Sequence, residues 1–185
     1  MAVKEKRLVE IRALDNEDNK MVLEGYAVVF EQPATHGYTE IIDRNALENC
    51  DFSDCVLRYN HNDAQFSMAR TRNHTLELIV DNYGLKVKAI LIDTQNNRDA
   101  YEMVKSGLVD QMSFAFTVKR EEWNDETNTR RILEIDKLYD VSIVDVPFYE
   151  STEVYARTLD DFKKEHKEKQ KFEFEKEKIK ILLSL

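Results

Sequence analysis

Leu85, Val87, Ala89 and Leu91 alternate with Lys86, Lys88, Ile90 and Ile92, the period-two pattern of a strand with one well-buried face. Asp81, Asn82, Tyr83 and Gly84 precede it as turn formers, and residues 75–80 supply a second arm, so the stretch predicts a β-hairpin. Residues 21–30 form another β-rich run. Gly25 inside it predicts a bulge or a close backbone approach, and residues 8–13 are expected to pair with it across the polar turn 15–19. Residues 55–59 read as a strand that delivers Asn60, His61, Asn62 and Asp63 at its C-terminal end.

Two short helices are predicted. Residues 43–49 open on Asp43, a capping residue, and residues 97–106 stop before Gly107, with Ala100, Met103 and Val104 on one face. Three further strands are expected at 111–119, 131–138 and 141–146, with the charged stretch 120–128 as an exposed hairpin loop and Pro147 closing the last strand. Strands outnumber helices, which places the chain in the α+β class on a largely antiparallel sheet.

Beyond residue 158 the pattern breaks. Residues 159–180 carry eight lysines and seven carboxylates, a local net charge of +1, whereas the whole chain has −9. The acidity therefore belongs to residues 1–158, and residues 159–185 form a separate charged tail, helical or disordered. Its end, residues 179–185, is too apolar to be left bare and is expected to dock on a partner or on its own domain.

Composition narrows the function. At 185 residues the chain suits one domain with a short appendage. An excess of 36 acidic over 27 basic residues repels polyanions, which disfavours nucleic acid and anionic membrane surfaces as partners. Cys50 and Cys55 are too few for a disulfide scaffold and lack the second pair that a zinc site needs, so a reducing compartment is expected. No GxGxxG or P-loop lysine motif occurs, and no window approaches the roughly 18 apolar residues of a membrane span. A soluble protein made and kept inside the cell is the expectation.

A hydrolase working without metal or cofactor needs a general base that titrates near neutrality, a role suited to histidine. There are four histidines. His166 lies in the charged tail, His36 in a loop, and His74 before a strand, whereas His61 sits at a strand end, a rigid mounting for a base. Among the serines, Ser113 shares its side of the predicted strand with Ala115 and Thr117, while Met112, Phe114, Phe116 and Val118 fill the other. Small neighbours leave room there for a substrate backbone. Ser142 is the competing nucleophile and Ser67 a more distant one. The group that would orient the imidazole is to be sought among Glu134, Asp136, Asp140 and Asp145 on or beside the late strands. Asp140 points away from Val141 and Ile143, and a carboxylate entering a buried strand needs a partner such as a histidine.

The ordered set of motifs resembles the prohead (procapsid maturation) serine proteases of tailed bacteriophages, which are distantly similar to the herpesvirus assemblins. The resemblance runs from about Leu8 to Arg157. Its landmarks are Leu23-Glu24-Gly25-Tyr26-Ala27-Val28-Val29-Phe30, Glu40-Ile41-Ile42 with Asn45-Ala46-Leu47, Leu57-Arg58-Tyr59-Asn60-His61-Asn62, and Met68-Ala69-Arg70-Thr71. Gly84-Leu85-Lys86-Val87, Gln111-Met112-Ser113-Phe114-Ala115-Phe116 and Leu138-Tyr139-Asp140-Val141-Ser142-Ile143-Val144-Asp145-Val146-Pro147 complete the series. The resemblance implies Ser113 as nucleophile and His61 as base. It maps the family's acidic position to Asp140, an aspartate where Glu is usual. The assemblins use a second histidine as third member. The matching stretch here has none, so an acid is the consistent substitute, with His74 as a minor alternative. Met68-Ala69 stands where a Gly is common, and Phe148 where Ala often follows the Pro.

The implied fold is an α+β domain on a largely antiparallel, barrel-like sheet with a few peripheral helices, similar to the herpesvirus protease. The implied activity is a serine endopeptidase that needs no metal or organic cofactor, with Arg70 a conceivable oxyanion contributor. Its implied substrates and partners are the scaffolding segment of the major capsid protein and the protease itself, cleaved inside the assembling prohead in the bacterial host cytoplasm. Residues 159–185 would target or tether it to the scaffold. The alternative from another class is a non-enzymatic assembly or scaffold module with the same barrel. A small-molecule esterase is disfavoured, because neither a GxSxG elbow nor βαβ alternation is present.

Overall fold

A computed structural model of the chain describes residues 11–14, 20–35, 37–145 and Lys176. All of these except Lys176 belong to one compact unit, Met1–Phe148. The expected turn at 15–19, His36, Pro147, His166 and the tail, apart from Lys176 in a helix, lie outside the described residues.

The strands are β1 (Ile11–Leu14), β2 (Met21–Val29), β3 (Ala34–Thr35), β4 (Thr39–Ile42), β5 (Val56–Tyr59), β6 (Ala69–Arg70), β7 (Leu76–Val80), β8 (Gly84–Leu91), β9 (Gln111–Asn124) and β10 (Thr129–Val144). One α-helix, α1 (Gln95–Lys105), lies between β8 and β9. The first sheet has the order β1-β2-β8-β7 and is antiparallel throughout. The hairpin β7–β8 forms as its alternation demands: Leu85, Val87, Ala89 and Leu91 are buried. Asp81 shapes its turn by accepting hydrogen bonds from the amides of Tyr83 and Gly84.

The irregularity expected at Gly25 occurs two residues later. Gly25 pairs regularly with Val87, and the register shifts between Tyr26 and Val28. That shift changes which parity faces inward, so Leu23 and Val28 are both buried. The close approach belongs to Gly84, where an added Cβ would lie 1.9 Å from the Val28 carbonyl oxygen.

The second sheet is organised by β10. Its two halves pair in parallel with β4 and then with β5 along one edge, while β9 runs antiparallel along the other. The expected strands at 131–138 and 141–146 are thus one continuous strand. A bulge at Tyr139, between the pairs Leu138–Phe116 and Asp140–Ala115, is what makes its pattern look interrupted. The expected loop 120–128 shrinks as well, because β9 runs on to Asn124. There, cross-strand ion pairs such as Lys119–Glu134 and Arg130–Glu121 hold the charged residues in the ladder.

Aliphatic side chains from both sheets and from α1 fill one core, including Leu23, Leu85, Leu57, Ile132, Val141 and Val104. The expectation of a single barrel-like sheet needs correcting. β3 and β6, two residues each, are too short to carry a ladder round to the other sheet. The sheets meet through single backbone bonds such as Ile11 N–H to Asp110 O (3.3 Å) and Glu31 N–H to Ile42 O (2.9 Å). No ladder joins them among the described residues. The class remains α+β, with mixed, mostly antiparallel sheets.

Helix α1 matches its expected place, capped by Thr94, whose hydroxyl accepts from the Asn97 amide (3.3 Å), and followed by Gly107 at φ 73°. The other expected helix does not form. Residues 43–50 make successive four-residue turns, with Ala46 N–H to Asp43 O, Glu48 N–H to Asn45 O and Cys50 N–H to Leu47 O. Ala46 and Leu47 plug the core there, and a segment this short gains little from helix propagation. Among the described residues no helix is long and apolar enough to cross a membrane.

Candidate active site

β5, β10 and β9 lie side by side, and their register fixes what shares a face. Arg58 on β5 is level with Ser142 on β10, and Ser142 with Ser113 on β9; one row along, Val56, Asp140 and Ala115 are level. Val141 and Ile143 point the other way into the core. The face opposite the core therefore collects Asp140, Ser142 and Ser113 from two neighbouring strands.

His61 reaches this face from the turn that ends β5. The Asn60 amide extends the β5–β10 ladder by donating to Ile143 O (2.9 Å). Asn60 and His61 then both adopt left-handed backbone, at φ 51° and 52°, a conformation that costs a non-glycine residue energy. Asn60 and Asp145 clamp the turn reciprocally: Asn60 Nδ2 donates to Asp145 Oδ2 (2.8 Å) and the Asp145 amide donates to Asn60 Oδ1 (3.1 Å). The Tyr59 hydroxyl also donates to Asp145; burial first, and that carboxylate second, push its pKa up to about 12. Arg58 grips the far side of the turn through Asn62 O (3.1 Å) and Asp63 (3.0 Å).

So held, the imidazole places Nδ1 2.6 Å from Asp140 Oδ1. An ionised carboxylate can only accept, so Nδ1 carries the proton and the neutral ring presents Nε2 as a base. Asp140 is 8% exposed. Burial alone would raise its pKa, but hydrogen bonds from His61 and Ser142 and the nearby charges of His61, when protonated, and Arg58 outweigh burial and hold it below the usual carboxylate range. His61 keeps a 30% exposed side chain, so the imidazole is open to solvent while its carboxylate partner is largely covered.

Ser142 completes this arrangement in a role that its sequence position left open. Its hydroxyl donates to Asp140 Oδ1 (2.7 Å) and accepts the His61 backbone N–H (3.2 Å), and it lies 3.1 Å from His61 Nδ1. The residue is 0% exposed, and its proton points to Asp140 on the Nδ1 side of the ring. The signal for this was present in the alternation, since residues 140 and 142 must share a face. Ser142→Ala is expected to lower kcat/KM about tenfold and stability by about 1–2 kcal/mol, read by peptide cleavage and chemical denaturation. Complete loss of turnover would instead mark Ser142 as the nucleophile.

Ser113 is half-buried on the neighbouring strand. It is directly opposite Ser142, a placement that sets its Cβ about 5 Å from that of Ser142. It makes no hydrogen bond to His61 here; catalytic hydrogen bonds commonly tighten only in the substrate complex. The other candidates are elsewhere. Glu134 pairs with Lys119 (2.7 Å), Asp136 is exposed and Asp145 anchors the turn. Ser67 is exposed in the β5–β6 loop, and His74 is exposed just after the short 3-10 turn 71–73. The Arg70 guanidinium is engaged by Asp54 through Nε (2.5 Å) and Nη2 (2.6 Å). Cys55, buried beside β10, has its thiol pushed up to about 12, by burial first and the Asp140 charge second, and supplies no thiolate.

The family model described as Caudovirus prohead serine protease matches residues 7–165. The chain belongs to this family. It is accordingly a serine peptidase of phage capsid maturation, whose setting is the assembling procapsid and whose contacts include capsid proteins. Comparison with curated proteins and with solved structures gave no match.

Proposed function

We propose that this prohead protease is an endopeptidase in which Ser113 is the nucleophile, His61 the general base and Asp140 the residue that orients it. The contact of His61 Nδ1 with Asp140 at 2.6 Å, on the face that Ser113 shares, is the observation that supports this reading most. In this mechanism Nε2 takes the Ser113 proton as Oγ attacks the peptide carbonyl, and the imidazolium then gives that proton to the leaving amine. Water hydrolyses the acyl-enzyme by the same base. Asp140 stabilises the imidazolium in each half-reaction without taking its proton.

The substrates in this reading are the scaffolding segment of the major capsid protein and the protease itself. Enclosure in a shell raises their effective concentration, so weak intrinsic binding suffices. Residues 159–185 act as the segment that brings the protease to the scaffold, through an apolar end flanked by mixed charge. Co-assembly of this chain with the major capsid protein is the test. Shells are expected to contain capsid protein shortened by its scaffolding segment, and a chain cut back to residue 158 is expected to stay out of the shells while still cleaving peptides. Full-length capsid protein throughout would contradict the substrate assignment, and packaging of the shortened chain would contradict the role of the tail.

A further inference from the structure

We infer that the Gln111 carboxamide binds the main chain of the peptide substrate next to the scissile bond, an assignment that rests on Ser113 being the nucleophile. Gln111 opens β9 and pairs with Val144, and the register from there through Ser113–Ser142 to Ala115–Asp140 has no shift. Residues 111, 113 and 115 therefore share one face. Gln111 is 7% exposed. Among the described residues its Oε1 is the one buried side-chain oxygen or nitrogen without a hydrogen-bond partner. Buried acceptors are nearly always paired in native proteins, and this one lies two residues along the strand from the nucleophile.

The spacing suits an extended peptide. Two residues of strand span about 6.7 Å, the same in protein and in extended substrate. A substrate whose carbonyl is at Ser113 thus brings a backbone group to Gln111 one to two residues from the bond that is cut. Oε1 accepts, and the donor that every peptide carries, whatever its side chains, is the main-chain N–H. The free enzyme carries the orphaned acceptor, and the bound peptide satisfies it.

Two phosphonates separate peptide binding from the chemistry of the serine. A small fluorophosphonate reads Ser113, His61 and Asp140 alone; a peptidyl diphenyl phosphonate, built on residues preceding a cleavage site mapped by mass spectrometry on the capsid protein, also reads peptide binding. Gln111→Met is expected to slow labelling by the peptidyl reagent about 5- to 10-fold, the worth of one neutral hydrogen bond. Its rate with fluorophosphonate should stay within about twofold of the parent, and its melting temperature should be no lower, because the substitution removes an unpaired buried group. Equal rates with both reagents would overturn the inference, and so would equal slowing, which would put Gln111 at the serine rather than on the peptide. A parent chain that neither reagent labels would sink the nucleophile assignment itself, a distinguishable failure. A second measurement needs no variant: ester substitution of the main-chain N–H groups within two residues of the cut, one at a time, should slow the parent enzyme about 5- to 10-fold at one position. No effect at any position would overturn the inference.

Discussion

Ser113→Ala is expected to abolish processing of the capsid protein and of the protease itself. Loss of the nucleophile in a serine hydrolase costs on the order of 10⁵- to 10⁶-fold in kcat, so no product should accumulate over the time in which the parent reaches completion. The fold should survive. Ser113 is half-buried beside Ala115 and faces away from the core, and Ala removes one oxygen without opening a cavity. Denaturation curves of parent and variant should therefore differ by less than about 1 kcal/mol, as for a substitution that breaks no buried network. A variant that still trims capsid protein at the parent's rate would show the serine mechanism to be wrong and return the chain to a purely structural role in assembly.

Asp140→Asn should be nearly as damaging to catalysis and more damaging to stability. The amide has the shape of the carboxylate but no charge to stabilise the imidazolium and no requirement for the Nδ1–H tautomer, changes that cost about 10⁴-fold in kcat where a triad aspartate has been neutralised. Stability carries the sign of the shift. The Asp140 carboxyl is held below its ordinary range in the folded state, so its contribution is fully present above the unfolded value near 3.9 and is lost as pH falls through the folded value. The variant should accordingly be less stable than the parent at pH 7, and the gap should close progressively below about pH 4. A gap that stayed constant from pH 7 to pH 3 would mean that the charge of Asp140 contributes nothing to the fold.

Much of this was legible in the chain. Period-two alternation located β8 and the inward set of β9, and the strand at 55–59 correctly ended on Asn60 and His61. The same alternation put Asp140 on the side away from Val141 and Ile143. The failures have physical causes. A bulge shifts the phase of a strand, so the run from Arg131 to Val144 read as two strands where the chain makes one, with Tyr139 as the extra residue. Charged residues at 120–124 suggested a loop because their pairing partners lie across the hairpin, as with Arg130 and Glu121. Asp43 caps a turn, its carboxylate accepting the Asn45 amide (3.0 Å), and that local signal is the same for a turn as for a helix. The clamp between Asn60 and Asp145 and the bridge made by Ser142 depend on parallel pairing of β5 with β10, a long-range choice that no local window contains. Two short strands, β3 and β6, end the second sheet and leave two sheets where a barrel was expected.

In the proposed mechanism His61 makes Ser113 nucleophilic. Incubating the purified chain with a fluorophosphonate and mapping the adduct by peptide mass spectrometry tests it directly. Label on Ser113 in the parent and none in His61→Ala is the predicted result. Adduct on Ser142, or labelling of Ser113 at an equal rate without His61, would contradict it.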